Sequence, residues 1–73
     1  MKIRITVITP VGEYSSVEAE CTEEQLETTQ NMLESELNYL QLKCSNTYGG
    51  EDIVYINKKT LSNSVVKLEV NHE

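Results

Sequence analysis

The chain has no phenylalanine and no tryptophan, and that absence fixes the material of its core. A buried centre has to come from Ile, Val and Leu. With 73 residues, 38% of them apolar, there is enough for one thin core. A single compact domain over residues 1–73 is expected, too small to wall a deep catalytic pocket. Histidine occurs once, as His72, and cysteine twice, as Cys21 and Cys44. One His and two separated Cys do not make a zinc set. The acids lack the glycine-containing spacing of a calcium loop, and neither cysteine has a base to activate it. No enzymatic activity, metal or other cofactor is expected. The cysteines show no CxxC spacing, so reduced thiols are the default; a Cys21–Cys44 bridge would need neighbouring strands.

Long apolar runs are missing too. Nothing approaches the roughly 20 residues of a membrane span. The opening "MKIRITVITP" alternates Ile and Val with Lys, Arg and Thr, unlike the apolar stretch of a signal peptide. A cytoplasmic location is expected. Basic residues are absent between Arg4 and Lys43, where Glu13, Glu18, Glu20, Glu23, Glu24, Glu27, Glu34 and Glu36 fall. The rest of the chain holds six Lys and Arg against four acids, for a net charge of −6. Direct DNA or RNA binding and binding to an anionic membrane both need a net cationic surface and are not expected. The acidic stretch either keeps the molecule in solution or faces a basic protein.

What is present is alternation. In residues 2–9, Ile3, Ile5 and Val7 share one face; Lys2, Arg4, Thr6 and Ile8 share the other. "PVGE" reads as a turn, and "EYSSVEAEC" alternates again, so the two segments predict an antiparallel hairpin. Thr22 is a good N-cap, with Gln25 placed for a capping box and Glu23 and Glu24 at the positive end of the dipole. Leu26, Leu33 and Leu37 recur at helical spacing as the inward stripe of an amphipathic helix, with Leu40 a possible extension. From about Tyr39 the period returns to two, with Leu40, Leu42 and Cys44 inward. "IVYI", residues 53–56, is apolar on both sides and reads as a central strand. "SVVKLEV" closes the sheet, with Val66, Leu68 and Val70 on one side, and residues 71–73 are expected to fray. The predicted class is α+β: a five-stranded, mostly antiparallel sheet with one amphipathic helix on one face, in the order β-β-α-β-β-β. The face left uncovered would carry Ile8, Tyr39 and part of "IVYI", which predicts a homo-oligomer.

Two polar loops remain as candidates for chemistry. "SNTYGGED" lies between strands with no GK[ST] after it, so Gly49-Gly50 reads as a turn and not as a phosphate loop. Its eight-residue length leaves Tyr48 free to project. Lys58 and Lys59, with Thr60 and Asn63, could hold a phosphate by point charge, or simply guard a strand end. If both loops lay at one edge of the sheet, Tyr48 could stack on a base while the lysines balanced phosphates, with Arg4 as a further contributor. That would be a small-nucleotide site.

The layout of a first strand in "MKIRITVITPVGEY", a Glu-rich helix and the ending "IVYINKKTLSNSVVKLEV" resembles the short acidic proteins that bacteriophages express to manage the host. The resemblance implies stoichiometric binding that antagonises a bacterial defence or host-control system, in the host cytoplasm. Two mechanisms are compatible with it. An oligomeric sponge would sequester a linear or cyclic nucleotide signal through Arg4, Tyr48, Lys58, Lys59, Thr60 and Asn63. A protein inhibitor would dock Glu23, Glu24, Glu27 and Glu34 on a basic site of a nucleic-acid-binding protein or polymerase. A structural self-assembly protein is the third reading.

Overall fold

The computed structural model describes residues 1–72, in a slab of 33 × 32 × 15 Å. Among these residues the order is β1 (Lys2–Thr9), β2 (Gly12–Ser15), β3 (Ala19–Glu20), α1 (Glu23–Glu34), β4 (Tyr39–Ser45), β5 (Glu51–Asn57), α2 (Lys58–Leu61) and β6 (Val65–Asn71). The fold is α+β, with antiparallel strand pairs and one main helix. β6 runs through Asn71, so the fraying expected from residue 71 does not begin there; Glu73 lies outside the described residues.

The predicted hairpin forms. Thr9 pairs with Gly12 across Pro10-Val11. The Thr9 hydroxyl ties the turn, donating to the Gly12 carbonyl at 2.7 Å and accepting from the Val11 N–H at 3.2 Å. The helix start is also as predicted: Thr22 Oγ1 accepts from the Gln25 N–H, and Gln25 Oε1 accepts from the Thr22 N–H.

The sheet departs from the single five-stranded prediction. β1 pairs with β2, β3 and β6 in one sheet of four strands; β4 and β5 form a second of two. The expected second strand breaks at Ser16, whose Oγ takes the Ile5 N–H at 2.9 Å while its own N–H bonds the Ile5 carbonyl at 2.8 Å. A side-chain oxygen thus stands where the ladder would use a main-chain carbonyl. The chain then steps aside, and the Val17 N–H reaches the Lys43 carbonyl of β4 at 2.8 Å. That bond stitches the two sheets together. Pairing with β1 resumes at Ile3 with Ala19 and Lys2 with Glu20.

The core lies between the sheets and under the helices. Val7, Leu40, Leu42 and Ile56 are each at most 4% exposed; Ile5, Leu33, Leu37, Cys44, Val54 and Leu61 pack around them. Burial of each of those four is worth roughly 1.5–3 kcal/mol. The stripe on α1 is shallow, with Leu26, Thr29 and Leu33 half-buried and no residue of the helix fully so. "IVYI" is not a central strand: β5 pairs with β4 on one side, and its outward Ile53 and Tyr55 are 52% and 63% exposed. The polar loop expected at 58–63 contains α2, begun by Asn57, whose Oδ1 accepts from the Thr60 N–H at 2.9 Å.

Candidate binding surface

Strands reaching Ser45 and starting at Glu51 shorten the glycine loop from the expected eight residues to five, 46–50. Asn46 organises it. Its Oδ1 accepts from the N–H groups of Tyr48 and Gly50 at 3.0 and 2.9 Å, and its main chain bonds Gly50 at 3.0 Å. Gly49 has φ +80°, a conformation that favours glycine. The amides that could have received an anion are therefore already spent on Asn46, and the loop is a turn. Tyr48 projects from its tip, 94% exposed.

Lys58, Lys59, Thr60 and Asn63 sit at the other end of β5. The full seven-residue strand separates them from Tyr48, roughly 20 Å at about 3.3 Å per residue. One chain does not bring the two loops together. Thr60 and Asn63 are occupied locally: the Thr60 N–H is held by Asn57, and Asn63 Nδ2 donates to the Lys59 carbonyl. Lys58 Nζ is 2.5 Å from Glu36 Oε1. Arg4 is taken as well. Its Nη2 lies 2.8 Å from Glu18 Oε1 and its Nε 3.9 Å from Glu69 Oε2, and Glu69 also accepts from the Thr6 hydroxyl at 3.0 Å. On the outer face of the larger sheet Arg4, Thr6, Glu18 and Glu69 thus satisfy one another, with Thr6 only 3% exposed, while Ile8 and its partner Val65 on the same face are 39% and 58% exposed.

The smaller sheet is different. Its outer face carries Tyr39, Gln41 and Lys43 from β4 and Ile53 and Tyr55 from β5. Tyr39 and Tyr55 are diagonal neighbours, because Gln41 is the direct partner of Tyr55 and Asn57 that of Tyr39. Their rings meet at a centroid distance of 5.8 Å with planes tilted by 57°. Tyr39 is 56% exposed, and it shares a shallow depression with Met32 at the C-terminal end of α1. On α1 itself, Glu23, Glu24, Glu27 and Glu34 are exposed and make no ion pair among the described residues.

An exposed aromatic pair can anchor a protein, and a helix face with unneutralised carboxylates can orient a cationic one. Of the titratable groups, Cys44 stands out: burial, and then the neighbouring Asp52 carboxylate, push its thiol pKa up and keep it protonated. Both cysteines are free. Sequence reasoning placed Tyr39 and part of "IVYI" on an uncovered face but did not pair Tyr39 with Tyr55. Among the described residues no helix is long and apolar enough to cross a membrane. No protein-family model, curated protein or solved structure matches the chain.

Proposed function

We propose that the protein is a non-enzymatic inhibitor that binds a basic protein partner stoichiometrically, as its resemblance to small bacteriophage proteins directed against bacterial defence or host-control systems implies. The observation that carries this reading is the exposed Tyr39–Tyr55 pair, with Tyr39 sharing a depression with Met32 at the end of α1. Tyrosines make good anchors because they bury a large area at low entropic cost, and interface energy concentrates on such residues. The acids Glu23, Glu24, Glu27 and Glu34 would steer a cationic partner toward that anchor and disfavour acidic ones. The target surface would be one that otherwise holds nucleic acid.

The nucleotide-sponge reading has less support from this geometry. Tyr48 and the lysines lie at opposite ends of β5, and Arg4 faces two carboxylates. A nucleotide site would have to combine Tyr48 of one copy with Lys58 and Lys59 of another.

The test is affinity capture from lysate of a candidate host bacterium, run at about 50 and 500 mM salt because surface attraction is screened beyond a Debye length. Three baits are compared: the unmodified protein, the Glu23, Glu24, Glu27 and Glu34→Gln variant, and the Tyr39→Ala, Tyr55→Ala variant. The expected result is a basic protein retained at low salt and lost with either variant. An identical set of retained proteins on all three baits refutes the proposal. Heat from a nucleotide panel in calorimetry, abolished by Lys58→Ala with Lys59→Ala, would move the assignment to the sponge.

A further inference from the structure

We propose that two copies of this chain pair through the free edge of β6, antiparallel and centred on Leu68, into one continuous sheet. The direction of the main-chain groups establishes which ones are free. The N–H and carbonyl of Ile5 both face Ser16, on the β2–β3 side of β1. Alternate residues of a strand point their main chain to opposite sides, so Lys2, Arg4, Thr6 and Ile8 bond toward β6. Their partners Asn71, Glu69, Lys67 and Val65 bond back. Val66, Leu68 and Val70 therefore direct their N–H and carbonyl groups away from the sheet. No main-chain bond among the described residues takes them up.

The side chains select the occupant. With the two-fold axis at Leu68, each Lys67 stands opposite the Glu69 of the other copy, giving two opposite-charge pairs on the outer face. On the inner face Val66 meets Val70 and Leu68 meets Leu68. Moving the axis by one residue sets Lys67 on Lys67 or Glu69 on Glu69, which is unfavourable, so charge fixes the register. Apolar surface at this edge also needs cover. Val66 is 38% exposed and borders a groove of about 260 Å³ whose apolar lining includes Leu33, Leu37, Leu40 and Leu61. Glu69 is half engaged, by Thr6 and Arg4 on the β1 side, and a carboxylate has capacity for more than one donor. The edge of β5 lacks this match, since pairing it about Val54 would set Asp52 against Ile56.

Sedimentation and amide exchange test the idea together. The unmodified protein is expected at twice its 8.3 kDa mass. Lys67→Glu and Glu69→Lys should each weaken the dimer at least about tenfold, since each sets like charges opposite. Mixing the two variants should restore assembly as a heterodimer, because every Lys then faces a Glu. Lys67→Glu leaves the Thr6 and Arg4 contacts of Glu69 in place, so its effect is not a fold defect. As concentration rises, the amides of Val66, Leu68 and Val70 should become protected from exchange, whereas those of Val65, Lys67 and Glu69 are protected throughout. A monomeric mass up to millimolar concentration overturns the proposal. So does a dimer that both variants leave intact, or one whose concentration-dependent protection falls on Ile53 and Tyr55.

Discussion

Replacing Ser16 by Ala removes one oxygen from the point where the two sheets meet. The Ser16 hydroxyl accepts the Ile5 N–H at 2.9 Å, in a partly buried setting, and no main-chain carbonyl stands in its place. Loss of the hydroxyl leaves a donor without a partner, which costs about 1–3 kcal/mol when water cannot replace it. Ile5 is half-buried, and water reaches part of that site, so the lower half of the range applies: about 1–2 kcal/mol. In a domain of this size about 1 kcal/mol corresponds to a fall of roughly 4–8 °C in Tm. Ser16→Thr keeps the oxygen and should retain most of the stability. The amides of Ile5 and Val17 should both exchange faster in Ser16→Ala, because Val17 holds the Lys43 carbonyl from the adjacent position. The measurement is a thermal melt of the three proteins with hydrogen exchange at the two amides. A Tm within about 1 °C of the unmodified protein for Ser16→Ala, well under the shift expected for one lost bond, would refute the reasoning. Water would then be serving Ile5 as well as the serine does, and the break between β2 and β3 would need another cause.

Thr22→Ala removes the cap at the start of α1 and should cost about 1 kcal/mol, seen as a lower Tm and reduced helical circular dichroism. Gly49→Val should cost about 1–2 kcal/mol because of its φ of +80°, whereas Gly50→Ala should stay within about 0.5 kcal/mol, its new carbon meeting Asn46 at ordinary distance. Chemical denaturation distinguishes the two; equal losses would contradict the turn geometry. The folded pKa of Cys44 lies above its ordinary value of 9.0, so the folded chain holds that proton more tightly than the unfolded one. Its contribution to stability is full below the unfolded value and is lost as pH rises through the folded value. Alkylation of Cys44 at mildly alkaline pH should accordingly be slower in the folded protein than in urea, and equal rates would remove the burial argument.

The readable parts of the fold are those set by neighbours in sequence. The capping box at Thr22 and Gln25, the hairpin across Pro10-Val11 and the inward stripe of β4 all follow from local pattern. The break at Ser16 does not, because it depends on Val17 finding Lys43, a partner on the far side of the helix in sequence. α2 left a usable signal in Asn57, a good N-cap residue ahead of Lys58, Lys59 and Thr60, but four residues carry no periodicity. The grouping of Tyr48 with Lys58 and Lys59 was avoidable on geometry alone. Two loops that flank one strand must lie at its opposite ends, whatever the sheet order. The Tyr39–Tyr55 pair was hidden for a different reason: apolar residues on both sides of a strand suit an interior position and an exposed recognition face equally.

The lack of Phe and Trp bears on how the whole structure is held. Among the described residues four apolar side chains are buried as the core, which is thin support for a slab with two sheets. The junctions are secured instead by short polar side chains standing in for main-chain partners. Thr9 closes the first turn, Ser16 the seam, Thr22 and Asn57 the starts of the helices, and Asn46 the glycine turn. Each such bond contributes on the order of 1 kcal/mol, comparable to losing part of a buried side chain. Stability is therefore spread over many small, local closures, and the tyrosines are left outside the core. Their exposure follows from the same division: aliphatic side chains fill the thin interior, hydroxyls and amides fix the turns, and the aromatic side chains are left at the surface.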